Sequence, residues 1–187
     1  MKTSLRMAMV AVALLIGGFS AYAQEMAVGG NIGVAVDKDV ALHGIGVKFR
    51  YTLPEMSFGK IRGEGTFGYY FNNYSDLWDM SANVHYLIDL PSAPKFTLYP
   101  LAGLSLERYH ESRRIDFDLG NYINPETGLI ETTGSYRVRY LEFGINMGGG
   151  ADYKITDRIS VNAELKYRLG TSGFSRFAIS TGIVFRF

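Results

Sequence analysis

The sequence predicts an all-β fold, an eight-stranded antiparallel up-and-down barrel, on three observations. Apolar and polar residues alternate with a period of two through eight segments. Short turn-like stretches separate most of those segments. The composition is rich in aromatics (12 Phe, 13 Tyr, 1 Trp) and in Gly, 22 of 187 residues or about 12% against a usual ~7%. Successive strand side chains point to opposite faces, so a period of two gives one apolar and one polar face per strand.

The clearest segment is 159–169, where Ile159, Val161, Ala163, Leu165, Tyr167 and Leu169 alternate with Ser160, Asn162, Glu164, Lys166 and Arg168. Segment 78–89 sets Trp78, Met80, Ala82, Val84, Tyr86 and Ile88 against Asp79, Ser81, Asn83, His85 and Asp89. In 60–71, Lys60, Arg62, Glu64 and Thr66 oppose Ile61, Phe67, Tyr69 and Phe71, and in 44–52 Lys48 and Arg50 oppose Ile45, Val47, Phe49 and Tyr51. Segments 141–154 and 176–187 behave alike, with Glu142, Asn146, Asp152 and Lys154 on one polar face and Arg176, Ser180, Gly182 and Arg186 on the other. Two segments are weaker. Residues 26–36 oppose Val28, Ile32, Val34 and Val36 mainly to Ala, Gly and Asn31; in 96–106 Leu101 sits on the wrong face and Pro100 removes a ladder hydrogen bond. Turn-forming stretches lie at 37–39, 53–55, 72–76, 91–94, 156–158 and 170–173.

The remaining connection, 109–135, is long and polar but patterned. Arg114 to Leu119 and Tyr136 to Tyr140 alternate around the turn Asn124-Pro125-Glu126-Thr127-Gly128, which predicts a protruding hairpin. Apolar parity switches on both of its arms, as expected where two strands leave lipid, or bulge, at a similar height.

Lys2 and Arg6, the apolar run 7–18 and the Ala21-Tyr22-Ala23 site have the form of a secretory signal peptide, predicting cleavage after Ala23 and a mature domain over 24–187. The run is shorter than the ~20 apolar residues of a spanning helix. If the remaining chain is in a membrane, it must therefore span as a closed barrel.

Alternation alone does not say which face is outside; the aromatic residues do. Tyr69, Phe71, Trp78, Tyr167 and Phe177 fall at one set of strand ends, and Tyr51, Tyr86, Tyr153, Phe185 and Phe187 at the other, with aliphatic residues between. Two such girdles are what a bilayer selects, which makes the barrel transmembrane, in contact with outer-membrane lipid. The charged residues then face the lumen. Lys48, Arg50, Lys60, Arg62, Lys154, Lys166, Arg168, Arg176 and Arg186 stand against Glu64, Asp79, Asp89, Glu107, Glu142, Asp152 and Glu164, a nearly neutral ion-pair network. An eight-stranded barrel is just wide enough for its own side chains, so the lumen is expected to be plugged rather than porin-like. The rival arrangement is a soluble lipocalin-like barrel that binds an apolar ligand.

With 19 basic and 18 acidic residues, a formal charge of +1 and a mean hydropathy of +0.02, the chain is no nucleic-acid binder. The absence of Cys excludes disulfides, thiolate metal sites and Cys nucleophiles. His43, His85 and His110 have no metal-ligand spacing, and no cofactor is expected. The Gly-rich stretches 29–30 and 148–150 lack the Lys-Ser/Thr of a phosphate loop; they suit sheet curvature and room for large inward side chains. His110-Glu111-Ser112 is a weak candidate for hydrolytic chemistry on outer-leaflet lipid, with Glu126, Glu131 or Glu142 to orient the base.

The segment 180–187, Ser-Thr-Gly-Ile-Val-Phe-Arg-Phe, resembles the terminal assembly signal of bacterial outer-membrane barrels. With the eight-strand count, the chain resembles the small outer-membrane barrel family of outer membrane proteins A and X. That resemblance implies that the barrel-assembly machinery reads Gly182, Phe185 and Phe187, that both termini are periplasmic and that the 109–135 hairpin is extracellular. Outer membrane protein X is similar in having a raised sheet whose open edge could add a strand from a foreign protein. Envelope structure or surface adhesion is the function the resemblance implies, with an extracellular protein or surface ligand as partner and export by a Sec-type route.

Overall fold

The computed structural model describes residues 25–37, 40–73, 75–116, 133–171, 173 and 175–187, without the side chains of 37 and 111–138. The signal peptide expected at 1–23, the hairpin tip and parts of three turns lie outside the described residues. Eight strands follow one another: β1 (Glu25–Asp37), β2 (Val40–Thr52), β3 (Lys60–Phe71), β4 (Ser75–Asp89), β5 (Phe96–Asp116), β6 (Thr133–Lys154), β7 (Ile159–Gly170) and β8 (Ser175–Arg186). Each pairs antiparallel with its sequence neighbour, and β1 pairs with β8, so the sheet closes into an up-and-down barrel. Closure leaves no lateral edge within the barrel wall, the liability of any open sheet.

The turns use side chains the sequence supplies. The Asn72 carboxamide accepts from the Ser75 amide at 2.7 Å, and the Thr156 hydroxyl accepts from the Ile159 amide at 3.0 Å. Pro100 leaves its mark as expected. The β4–β5 ladder runs from Ser75↔Glu111 to His85↔Leu101, lapses at Tyr99 and Pro100, and resumes at Ile88↔Leu98.

Side-chain direction follows the alternation. Ile145, Leu165 and Ile183 point outward and are 54%, 51% and 48% exposed, whereas Arg62 and Glu164 point inward and are 5% and 3% exposed. This is the reverse of a lipocalin-like interior, and the soluble alternative is set aside on that ground. The exposed aromatics fall in two bands. Tyr69, Phe71 and Trp78 cluster on β3 and β4 at the end opposite the C-terminus, with Tyr69 and Trp78 centroids 4.6 Å apart, and the Tyr167–Phe177 pair, at 4.5 Å, stands at the same end on β7 and β8. Tyr51, Tyr86, Tyr153, Phe185 and Phe187 lie toward the terminal end, where Phe96 packs on Tyr153 at 4.8 Å.

β5 and β6 are 21 and 22 residues long against 12 to 15 for the other strands. Their pairing is continuous from Phe96↔Tyr153 to Asp116↔Thr133, so the connection expected over 109–135 is strand on both arms. No bulge accompanies the parity switch. Tyr109 and Tyr140, opposite each other, instead stack on the inner side of the ribbon with centroids 5.1 Å apart. β7 pairs with β6 only from Gly144 downward, and the Phe143 carbonyl accepts from the Thr171 amide at 3.0 Å. Above these contacts, β6 from Thr133 to Leu141 has a free edge among the described residues. At about 3.3 Å per residue, that edge rises on the order of 30 Å along the strand above the β7–β8 turn.

Because Leu165 lies mid-strand on the outward face, Leu165→Arg should lower stability in lipid vesicles by about 2–4 kcal/mol, the cost of a cation near the bilayer midplane. Urea titration of the refolded barrel measures it. An unchanged midpoint would mean that this face does not meet hydrocarbon.

Candidate functional site

The lumen holds the polar chemistry of the barrel. Near the terminal end, Arg50 on β2 is the hub. Its Nε donates to Glu64 Oε2 at 2.7 Å, Nη1 to Asp152 Oδ1 at 3.0 Å, and Nη2 to Glu164 Oε1 at 2.9 Å and the Tyr99 hydroxyl at 3.2 Å. One planar fork thus joins strands β2, β3, β5, β6 and β7, a geometry that a lysine could not reproduce. Lys48 Nζ adds a contact to Glu164 Oε1 at 3.1 Å, and Arg62 Nη1 donates to the second oxygen of Asp152.

Tyr99 braces this cluster. It donates to Glu164 Oε1 at 2.9 Å, stacks on His85 at 4.6 Å with planes 6° apart, and lies under the Arg62 guanidinium at 4.6 Å. Gly150 makes the room, since a Cβ there would lie 2.6 Å from the Tyr99 ring.

Glu64, His85 and Glu164 bring three ligand-type atoms within 4.8 Å of one another, the spacing of a metal site. The hydrogen bonding argues against one. Arg62 Nε and Nη2 both approach His85 Nδ1, at 3.2 and 2.9 Å. A guanidinium can only donate, so Nδ1 is the acceptor and the proton sits on Nε2, the nitrogen that faces Glu64. That nitrogen has no lone pair to offer a cation, and Arg50 and Lys48 already neutralise the two carboxylates.

A second cluster fills the middle of the lumen toward the hairpin end. Glu107 and Glu142 face each other across β5 and β6, and Arg168 and Arg176 across β7 and β8. Like charges directly opposed are unfavourable by themselves. Here the two pairs satisfy each other. Arg168 Nη1 reaches Glu107 and Glu142, each at 3.1 Å, its Nε donates to Ser105 Oγ at 2.9 Å, and Arg176 reaches Glu107 at 3.2 Å.

Beyond it, Ala35, Leu42, Tyr70 and Leu77 form an apolar cap, against which Val40, Tyr109 and Ala178 pack. Small voids of about 20 and 10 Å³ flank Lys166 between the clusters, and a cavity of about 230 Å³ opens at the terminal end, lined by Arg50, Arg62, Asp152 and Arg186 among others.

Lys48, Arg50, Arg62, Glu64, Glu142, Asp152, Glu164 and Arg168 are therefore brought together in two ion-paired groups. Lys60 is not among them. As the first residue of β3 it stands at the barrel rim, 40% exposed at the side chain, and pairs with the half-exposed Asp89 at 2.8 Å. Asp79 and Lys166 face the lumen but form no direct ion pair among the described residues; Asp79 accepts from Ser81 Oγ instead. Tyr99 and Tyr70 escaped the sequence reading because both are apolar by type yet point inward. Their parity, shared with Glu107 on β5 and with Arg62 and Glu64 on β3, was the available signal.

Gly182 sits at the β1–β8 seam, where a Cβ would come 2.4 Å from the Gly30 carbonyl, while Phe185 and Phe187 are exposed on the outer face. His110 Nδ1 contacts Asp76 Oδ2 at 3.0 Å across β4 and β5. Glu142, one of the expected orienting groups, is instead held in the lumen by Arg168. The Ser112 side chain, Glu126 and Glu131 lie outside the described residues.

A closed antiparallel barrel with an apolar exterior, two aromatic bands and an ion-paired lumen defines a transmembrane β-barrel. The chain belongs to the family described as outer membrane protein beta-barrel domain, whose model matches residues 9–187, and it is an integral outer-membrane protein. Among solved structures it is similar to the N-terminal β-barrel domain of Pseudomonas aeruginosa OprF (17% identity, TM-score 0.56, 86% of this chain and 97% of that one). It is also similar to a major outer membrane protein from Thermus thermophilus (12%, 0.62, 89% and 100%) and to Ail, the attachment invasion locus protein of Yersinia pestis (13%, 0.54, 88% and 97%). No curated protein matches the sequence.

Replacing Arg50 by Met leaves three buried carboxylates without their shared cation, and such a loss costs about 3–5 kcal/mol. The Arg50→Met barrel should therefore unfold at distinctly lower urea than wild type in vesicles, whereas Lys60→Met at the exposed rim should stay within about 1 kcal/mol of it.

Proposed function

We propose that the protein is a plugged, non-porin barrel that presents the β5–β6 hairpin outside the cell and serves surface binding or adhesion. The observation that carries this reading is the free edge of β6 from Thr133 to Leu141, raised clear of β7 and open to a partner strand. The two ion-paired clusters and the apolar cap support a lumen closed to solutes. The aromatic bands contact the headgroup levels of the bilayer, and the chain enters the membrane after Sec-type export and removal of residues 1–23. Gly182, Phe185 and Phe187 serve as the assembly signal. Ail, similar in fold, has been solved in complex with the heparin analogue sucrose octasulfate, and ligand binding of that kind supports the same role here.

A tag inserted at Glu126 should be labelled on intact cells, and deletion of 112–132 with the barrel retained should abolish binding to host-protein or cell-surface preparations. Unchanged binding by the deletion variant would remove the hairpin from the function.

The Asp76–His110 contact favours a second reading, a hydrolase of outer-leaflet lipid in which Asp76 orients His110 as base and Ser112 supplies the nucleophile. On that reading Ser112→Ala alters the acyl composition of outer-membrane lipid by mass spectrometry. An identical lipid profile rejects it.

A further inference from the structure

The outward side of the barrel wall is apolar along almost its whole height, and the exceptions are gathered in one place. Among the described residues, the charged or imidazole side chains that face outward from the strands, apart from those at the terminal-end rim, are His43, Asp76, Arg108, His110 and Arg139. The last four are contiguous. Asp76, His110 and Arg139 form one row across β4, β5 and β6; Trp78, Arg108 and Leu141 form the row on the membrane side of it.

Asp76 is engaged by His110 at 3.0 Å. Arg108 and Arg139 are exposed and make no ion pair or hydrogen bond among the described residues. This contrasts with the lumen, where Arg50, Arg62, Arg168 and Arg176 are all committed to carboxylates.

A cation on the lipid-facing wall is costly at the bilayer midplane, and most of that cost is gone near the interface. Trp78 marks that interface, since its ring packs, tilted, against Tyr69 and Phe67 in the aromatic band. Arg108 lies level with it, beside Leu141, itself 63% exposed. The two arginines are diagonal neighbours across an antiparallel pair, about 7 Å apart at Cβ. Two guanidiniums at that spacing can close on one phosphate from two sides, each through paired N–H donors. No other described residue of this aromatic band is cationic, so the attraction is local to β5 and β6.

We propose that Arg108 and Arg139 form a headgroup clamp for a phosphorylated glycolipid of the outer leaflet, with Trp78 and Leu141 against its sugar and the start of its acyl chains. The clamp rests on the orientation proposed above, in which the hairpin end is extracellular. It anchors the foot of the raised hairpin in the leaflet, and it requires no catalysis.

The test is native mass spectrometry of the full-length barrel, released from detergent in the presence of bisphosphoryl lipid A, dephosphorylated lipid A or phosphatidylglycerol. Wild type should retain bisphosphoryl lipid A in preference to the other two. The Arg108→Gln/Arg139→Gln variant should lose about fivefold in retention per arginine, about 25-fold together. Arg108→Lys/Arg139→Lys should fall between, keeping the charge but not the fork. Heat-modifiable gel mobility confirms that each variant is folded, and Lys60→Gln at the opposite rim should bind as wild type does.

Equal retention by wild type and the double Gln variant, or no dependence on the phosphates, would overturn the clamp. Preference for phosphatidylglycerol would overturn the assignment to the outer-leaflet glycolipid. Labelling of the Glu126 tag on intact cells reads orientation separately. A labelled tag with no lipid A retention sinks the clamp alone, and an unlabelled tag sinks the orientation.

Discussion

Closing eight strands on themselves leaves a lumen in which inward side chains have nowhere to go but against one another. Every other consequence in this barrel follows from that confinement. Charges removed from water are expensive unless each meets a partner with good geometry. The lumen answers with Arg50, whose guanidinium ties five strands through Glu64, Asp152, Glu164 and Tyr99. Arg168 does the same for the opposed glutamates 107 and 142. The outer wall needs no such pairing, since lipid is as apolar as the leucines and isoleucines that face it.

The interior is not uniformly charged along its length. The terminal half is ionic and opens into a cavity of about 230 Å³, whereas the hairpin end closes on Ala35, Leu42, Tyr70 and Leu77. The two ionic clusters therefore fill the terminal half and the middle of the lumen, and an apolar cap lies beneath the raised ribbon. The same asymmetry appears outside, where exposed arginines stand at the foot of the ribbon on β5 and β6 and the remainder of that aromatic band carries no described cation. Both asymmetries lie at the end of the barrel that also carries the free edge, and so the hairpin end is where this protein differs most from a plain membrane staple.

Much of this was readable beforehand. The alternation of Ile159 to Leu169 and of Trp78 to Asp89 marks two strands and their faces without any tertiary knowledge, because a period of two has one structural meaning. The charged face of β2, β3 and β7 supplied most members of the ionic clusters by parity alone. What parity cannot supply is height along the barrel. Lys60 shares a face with Arg62 yet sits at the rim with Asp89, because one more step along the strand carries it out of the lumen. Nor does residue type reveal an inward tyrosine. Tyr99 looks like a girdle residue until its neighbours show it braced between His85 and Arg62. Asp76 escaped as the partner of His110 because the two are brought together only by the β4–β5 register.

By itself the chain determined its strands, their two faces and the order in which they meet, since these depend on local alternation and short turns. Only the tertiary structure decided which charges become partners, because pairing in the lumen is set by register and stagger between strands far apart in sequence. It also decided that no bulge accompanies the parity switch in β5 and β6, for an unbroken ladder is a property of two strands together and of neither one alone.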